Sequence, residues 1–146
     1  MTVKHITQFA IVGIFLLNGV VLSQKSLDLN EVGIGVYNAK PVKSKIFVAI
    51  YDSESSFLED ELMLREIDVS EKSKKHELSV WVKPGFYAIA IFQDLNNNGK
   101  LDKNMVGIPN EPYGFTNYEG LQITPPTWNK TALYIDSSRE ILIDLK

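Results

Sequence analysis

The chain has 146 residues, a formal net charge of −3 and no cysteine. That length is ordinarily one domain, and the lack of cysteine excludes a disulfide-stapled scaffold, a thiol nucleophile and a thiolate metal site. Mild acidity without a basic face speaks against nucleic acid as a partner, because phosphate binding needs clustered Lys and Arg.

The first element is a targeting segment. Lys4 and His5 give a positive start, and 6–22 is almost unbroken apolar sequence. Val21 and Ser23 occupy the two small-residue positions of a signal-peptidase site, so cleavage is expected after Ser23. The apolar core over 9–17 is short for ~30 Å of hydrocarbon, which favours a cleaved signal peptide (1–23) over a transmembrane anchor. No cysteine follows it to carry a lipid. Residues 24–146 then form a single exported domain with no stable membrane anchor. A Gram-negative periplasm or a bacterial exterior tolerates such a disulfide-free chain.

Strand patterns dominate the mature part. Val32, Ile34 and Val36 alternate with Gly33 and Gly35, the period of a half-buried strand. Residues 46–51 are apolar on both faces, as in a central strand covered on each side. Ser56 and Glu59 have capping-box spacing, so a turn or two of helix is expected there before 63–69 resumes an extended pattern. Residues 72–75 read as a solvated loop tip. His76, beside Lys74, Lys75 and Glu77, reads as solvent-facing. Leu78, Val80 and Val82 then alternate with Ser79, Trp81 and Lys83. Pro84-Gly85 suggests a type II turn with Gly85 at positive φ, making a hairpin with 86–92. Residues 132–135 and 141–145 flank Asp136-Ser137-Ser138-Arg139, a polar loop of hairpin length. The sum predicts an all-β, antiparallel sandwich of about seven strands with one long ordered loop over 94–130.

That loop opens on the sharpest local signal, Asp94-Leu95-Asn96-Asn97-Asn98-Gly99-Lys100-Leu101-Asp102. It matches the start of a calcium loop, D-x-[DN]-x-[DN]-G, with a hydrophobic residue at the eighth position. Side chains of Asp94, Asn96 and Asn98 would converge on one ion, with the Lys100 carbonyl and Asp102 completing that side. The twelfth position, normally a bidentate Glu, is Met105, so any calcium affinity would be weak, in the ~10⁻⁴–10⁻³ M range. A metal-free reading competes, since Asn and Gly form tight turns unaided. Glu111 would then either join as an extra ligand or clamp the loop by accepting backbone N–H bonds; the clamp is preferred.

Catalysis is poorly supported. The mature chain has one histidine, no cysteine and no G-x-S-x-G elbow. Asp94, Asp102 and Glu111 imitate a glycosidase carboxylate pair, which needs a sugar-lined cleft that so small a chain shows little to build. Tyr113, Phe115, Tyr118 and Trp128 cluster in the long loop; exposed they would stack sugars or peptides, buried they would staple the loop to the sandwich. Burial is the expectation.

Three ordered stretches carry a family resemblance: Pro84-Gly85-Phe86-Tyr87-Ala88; the Asp94-to-Asp102 run; and Gly107-Ile108-Pro109-Asn110-Glu111-Pro112-Tyr113-Gly114-Phe115-Thr116-Asn117. With 46–52, Phe57-Leu58 and Pro125-Pro126-Thr127-Trp128, they resemble the bacterial family called domain of unknown function 2141 over nearly the whole mature chain. The resemblance implies an exported protein of about this size and assigns no catalytic residues. The hairpin-and-turn pattern is also similar, at fold level only, to transthyretin-like and Ig-like sandwiches. The reading is a non-catalytic binding or structural module of the periplasm or cell exterior, meeting a protein or saccharide ligand. Its rivals are a carbohydrate-active enzyme using the carboxylates near Asp94 and Glu111, and an adhesin-like surface module.

Overall fold

A computed structural model describes residues 28–69, 72–118 and 124–146. The expected signal peptide and its cleavage site lie outside the described residues. Among them no helix is long and apolar enough to cross a membrane. Among the described residues eight strands and one short helix appear in the order β1 (Asn30–Tyr37), β2 (Lys45–Tyr51), β3 (Met63–Asp68), β4 (Lys75–Val82), β5 (Gly85–Asp94), β6 (Tyr113–Phe115), α1 (Trp128–Thr131), β7 (Leu133–Ile135) and β8 (Arg139–Asp144).

They form two sheets, a three-stranded one ordered β4-β1-β8 and a five-stranded one ordered β3-β2-β5-β6, with β7 also pairing β5. Alternation builds the core between them. Val32, Ile34 and Val36 of β1 meet Ile46, Val48 and Ile50 of β2, all essentially without exposure. β-branched side chains suit this half-buried pleated surface. The end of β8 also reaches the five-stranded sheet: the Lys146 N–H donates to the Tyr113 carbonyl (3.0 Å) and the Tyr113 N–H to the Lys146 carbonyl (3.3 Å). Gly114 permits that approach, since a Cβ there would lie 2.6 Å from the Asp144 carbonyl oxygen.

The sandwich is as expected, but several of its connections differ. β1 and β8 run parallel, so the architecture is not wholly antiparallel. β4 pairs with β1 and β5 with β2, so no β4–β5 hairpin forms. Lys83-Pro84 instead carries the chain from one sheet to the other. That crossing needs a bend rather than a tight reversal, and Gly85 is not among the positive-φ residues. It starts β5 opposite Ile135. Likewise 136–138 links two sheets rather than closing a hairpin, because β7 pairs with β5 and β8 with β1.

The Ser56 capping box is also absent. The Ser56 hydroxyl donates back to the Ser53 carbonyl (3.2 Å), and the Glu59 and Asp60 N–H groups donate to the Ser56 carbonyl (3.0 and 2.9 Å). Leu58, at φ 65°, stops any right-handed helix from forming. His76 is buried rather than solvent-facing. It is only 6% exposed, because β4 alternation sends His76, Val80 and Val82 inward while Lys75, Glu77 and Trp81 face out. Its polar neighbours in sequence belong to the other face.

Candidate functional site

The calcium-like run is a hydrogen-bonded knot at the end of β5. Asp94, 1% exposed, accepts the Asn98 N–H on Oδ1 (3.1 Å) and the Gly99 N–H on Oδ2 (2.7 Å). Asn97 at φ 58° and Gly99 at φ 77° take left-handed conformations that Asn and Gly adopt at low cost. Asn96 and Asn98 accept the Asn98 and Lys100 N–H groups on their own amide oxygens (3.1 and 2.8 Å). Their amide nitrogens both donate to Asp102 Oδ2, at 2.6 and 3.0 Å. These bonds close the turn through its own side chains. Met105, at the twelfth position, is fully exposed. Among the described residues no three His, Cys, Asp or Glu gather as a metal-holding group.

Glu111 completes the knot. Buried at 6% exposure, it accepts the Leu95 N–H on Oε1 (2.8 Å) and the Asp102 N–H on Oε2 (3.0 Å). Both carboxylates thus face backbone donors. This is the arrangement of structural acceptors, not of an acid–base pair flanking a substrate. The Asn110 N–H donates to the Asp102 carbonyl (2.8 Å) and Lys103 bridges Pro109, so 102–110 doubles back as a narrow loop.

What that loop walls is a cleft on the outer face of the five-stranded sheet. The inward residues of β2 and β5 fill the core; their outward neighbours include Phe47, Ala49 and Tyr51, opposite Phe92, Ala90 and Ala88. Phe47 and Phe92 stack with ring centroids 5.0 Å apart. Ala49 and Ala90 leave a shallow floor, and Phe92, Tyr113 and Phe115 rise beside it. Leu101, Lys103 and Pro109 enter from the segment leaving β5; Tyr51, Phe57, Leu58 and Glu59 come from the segment leaving β2. Pro125 and Pro126 also line it, giving a cleft of about 560 Å³.

The loop aromatics are packed rather than displayed. Tyr113 is buried, and Phe115, Tyr118 and Trp128 are partly buried. Tyr113 and Phe115 meet edge to face at 5.9 Å, Phe115 and Tyr118 at 6.0 Å, and Phe57 and Trp128 at 5.9 Å. Burial pushes the Tyr51 phenol up from its ordinary value, and the carboxylates of Glu61 and Glu59 push it further.

A bacterial family described as an uncharacterized protein conserved in bacteria, DUF2141, matches residues 34–142. The chain belongs to DUF2141. No curated protein and no solved structure matches it. Within this DUF2141 member the match spans both the Asp94–Glu111 knot and most of the cleft. The two alanines, Tyr51 and Leu58 escaped sequence reasoning as site residues. The available signal was the pairing of small with aromatic residues on the outward positions of two central strands.

Proposed function

We propose that this chain is an exported, non-catalytic binding module of the bacterial periplasm or cell exterior, with its ligand in the cleft over the five-stranded sheet. The observation that carries the reading is the cleft itself: apolar walls, an alanine floor and a volume typical of small-molecule sites. The apolar run ahead of Ser23 supports export. On this reading the Asp94–Glu111 knot is a metal-free brace for the cleft wall, holding Leu101, Lys103 and Pro109 against the sheet. A carbohydrate-active enzyme is disfavoured, because the buried carboxylates of Asp94 and Glu111 are taken up by backbone N–H groups.

Binding of the neutral fluorophore N-phenyl-1-naphthylamine tests the site. It is expected to brighten with wild type and with Trp81→Ala, on the opposite sheet, but not with Ala90→Trp, which fills the floor. Equal brightening by Ala90→Trp, folded as judged by an unchanged melt, would place the probe elsewhere and overturn the reading. Intact mass checks export: the mature protein is expected to begin at Gln24.

A further inference from the structure

The cleft is electrically lopsided. From Asp52 to Glu61 the chain carries Asp52, Glu54, Glu59, Asp60 and Glu61 with no lysine or arginine among them. All of these are exposed, and none is in an ion pair among the described residues. Glu59 lines the cleft directly. Lys103, the one cationic lining residue among the described residues, arrives on the segment that leaves β5 at Asp94. That departure and the one at Tyr51 lie at opposite ends of the β2–β5 pair, since Lys45 faces Asp94 while Tyr51 faces Ala88.

A second, independent observation sits at the acidic end. Tyr51 lines the cleft and is only 6% exposed, yet its hydroxyl has no hydrogen-bond partner among the described residues. The ring is buried but the phenol oxygen is not closed off from solvent, so within the cleft it is open to a ligand's polar atom. Tyr51 also meets Phe57 edge to face, with centroids 5.4 Å apart and planes at 83°. Two rings at a right angle form adjoining walls of an aromatic corner, and ring faces attract cations. Next to that corner, Leu58 holds φ 65°. It is the one positive-φ residue among the described residues that is neither Asn nor Gly, and it puts Phe57 and Leu58 consecutively into the cleft lining. A bulky residue in that conformation is strained, and such strain tends to gather at ligand sites.

We propose that the cleft takes a small organic cation, a protonated amine on an apolar body. Its ammonium sits at the corner of Tyr51 and Phe57 beside Glu59, and its apolar part lies over Ala49 and Ala90 toward Phe92. The phenol oxygen accepts an N–H bond and the carboxylates supply the counter-charge. Lys103 disfavours a cation at the far end, so the ligand has one orientation. This rests on the binding-module reading and adds the ligand's charge to it.

The experiment is a calorimetric titration of the mature protein with 4-phenylbutylamine, 4-phenylbutanol and 4-phenylbutyrate, which share an apolar body and differ in charge. The amine is expected to bind at least about tenfold more tightly than the alcohol. That preference should shrink with added salt and collapse in the double variant Glu59→Gln, Glu61→Gln. Tyr51→Phe, which keeps the ring, is expected to weaken the amine several-fold and leave the alcohol unchanged. Equal binding of amine and alcohol would overturn the cationic ligand while leaving the cleft as a site. Binding of none of the three, together with no response from the neutral fluorophore, would remove the binding reading and this inference with it.

Discussion

The two sheets show the solvent opposite faces of the same design. Apart from Trp81 and Leu142, outward positions of the three-stranded sheet are mostly polar or bare: Lys75 spans to Glu77 (2.8 Å) and Glu140 (2.6 Å) across Gly35, whose missing Cβ leaves the room. Outward positions of β2 and β5 are instead Phe47, Ala49, Tyr51, Ala90 and Phe92. A sheet with one apolar face stops at two layers, whereas one apolar on both faces needs a third. Here the third layer is not a helix but the long connection from Asp94 onward, pinned at its start by the knot. A layer made of loop covers the sheet incompletely, and the cleft is what it leaves open.

If the knot holds that third layer, breaking it should cost far more than breaking the ion pairs of the opposite sheet. Asp94→Ala strands two N–H groups and removes a buried charge acceptor, so a loss on the order of 3 kcal/mol is expected in urea unfolding. Glu111→Ala should follow closely for the same reason. Lys75→Ala, which touches only exposed carboxylates, should barely move the midpoint. A small Asp94 effect, or a large Lys75 effect, would reverse the comparison. Gly114→Ala comes next: its Cβ would press on the Asp144 carbonyl, where β8 joins the two sheets. Roughly 1–3 kcal/mol of destabilisation is expected, and an unchanged melt would mean that the junction is looser than drawn.

How much of this was legible follows from which rules are local. Strict alternation in Val32, Ile34 and Val36 and two-sided apolarity over 46–51 depend on the strand period alone, and both carried through to the fold. Partner choice is not local, which is why Pro84-Gly85 suggested a hairpin where the chain changes sheet. His76 was misjudged for a related reason: polar neighbours at Lys75 and Glu77 say nothing about the face that His76 itself takes. At the site, Asp94 and Glu111 announced themselves through turn chemistry. The cleft did not, because it is assembled from β2, β5, β6 and two connections, and only the register brings Ala49 opposite Ala90.

A gentler probe of the five-stranded face uses pH. The folded protein holds the Tyr51 phenolic proton more tightly than the unfolded chain does, since burial and two carboxylates disfavour the phenolate. The stability this contributes is whole below the ordinary tyrosine value of about 10 and is lost as pH rises through the raised one. Wild type should therefore weaken as pH rises above about 10, and Tyr51→Phe should weaken less over the same range. Tyr87 and Tyr118, shifted the same way, weaken both proteins alike and drop out of the difference. Identical slopes for the two proteins would show that Tyr51 titrates as freely folded as unfolded.

The smallest expected effect decides what the knot is. If its oxygens already accept N–H bonds and Asp102 is met by the Asn96 and Asn98 amides, calcium has nothing to add. Melts of wild type with millimolar-scale calcium and with chelator should then superimpose, and Asp94→Asn should lower stability equally in both. A calcium loop behaves otherwise. Stabilisation would grow as RT ln(1 + [L]/Kd), reaching about 1.4 kcal/mol when calcium is ~10-fold above Kd. Asp94→Asn would then abolish that response while costing much less in chelator. The two patterns differ in the variant as well as in the wild type, so general salt stabilisation cannot imitate the second. Superposition is expected because both Asp94 oxygens already accept backbone N–H groups, and because the position of the strongest calcium ligand is held by a methionine in open solvent.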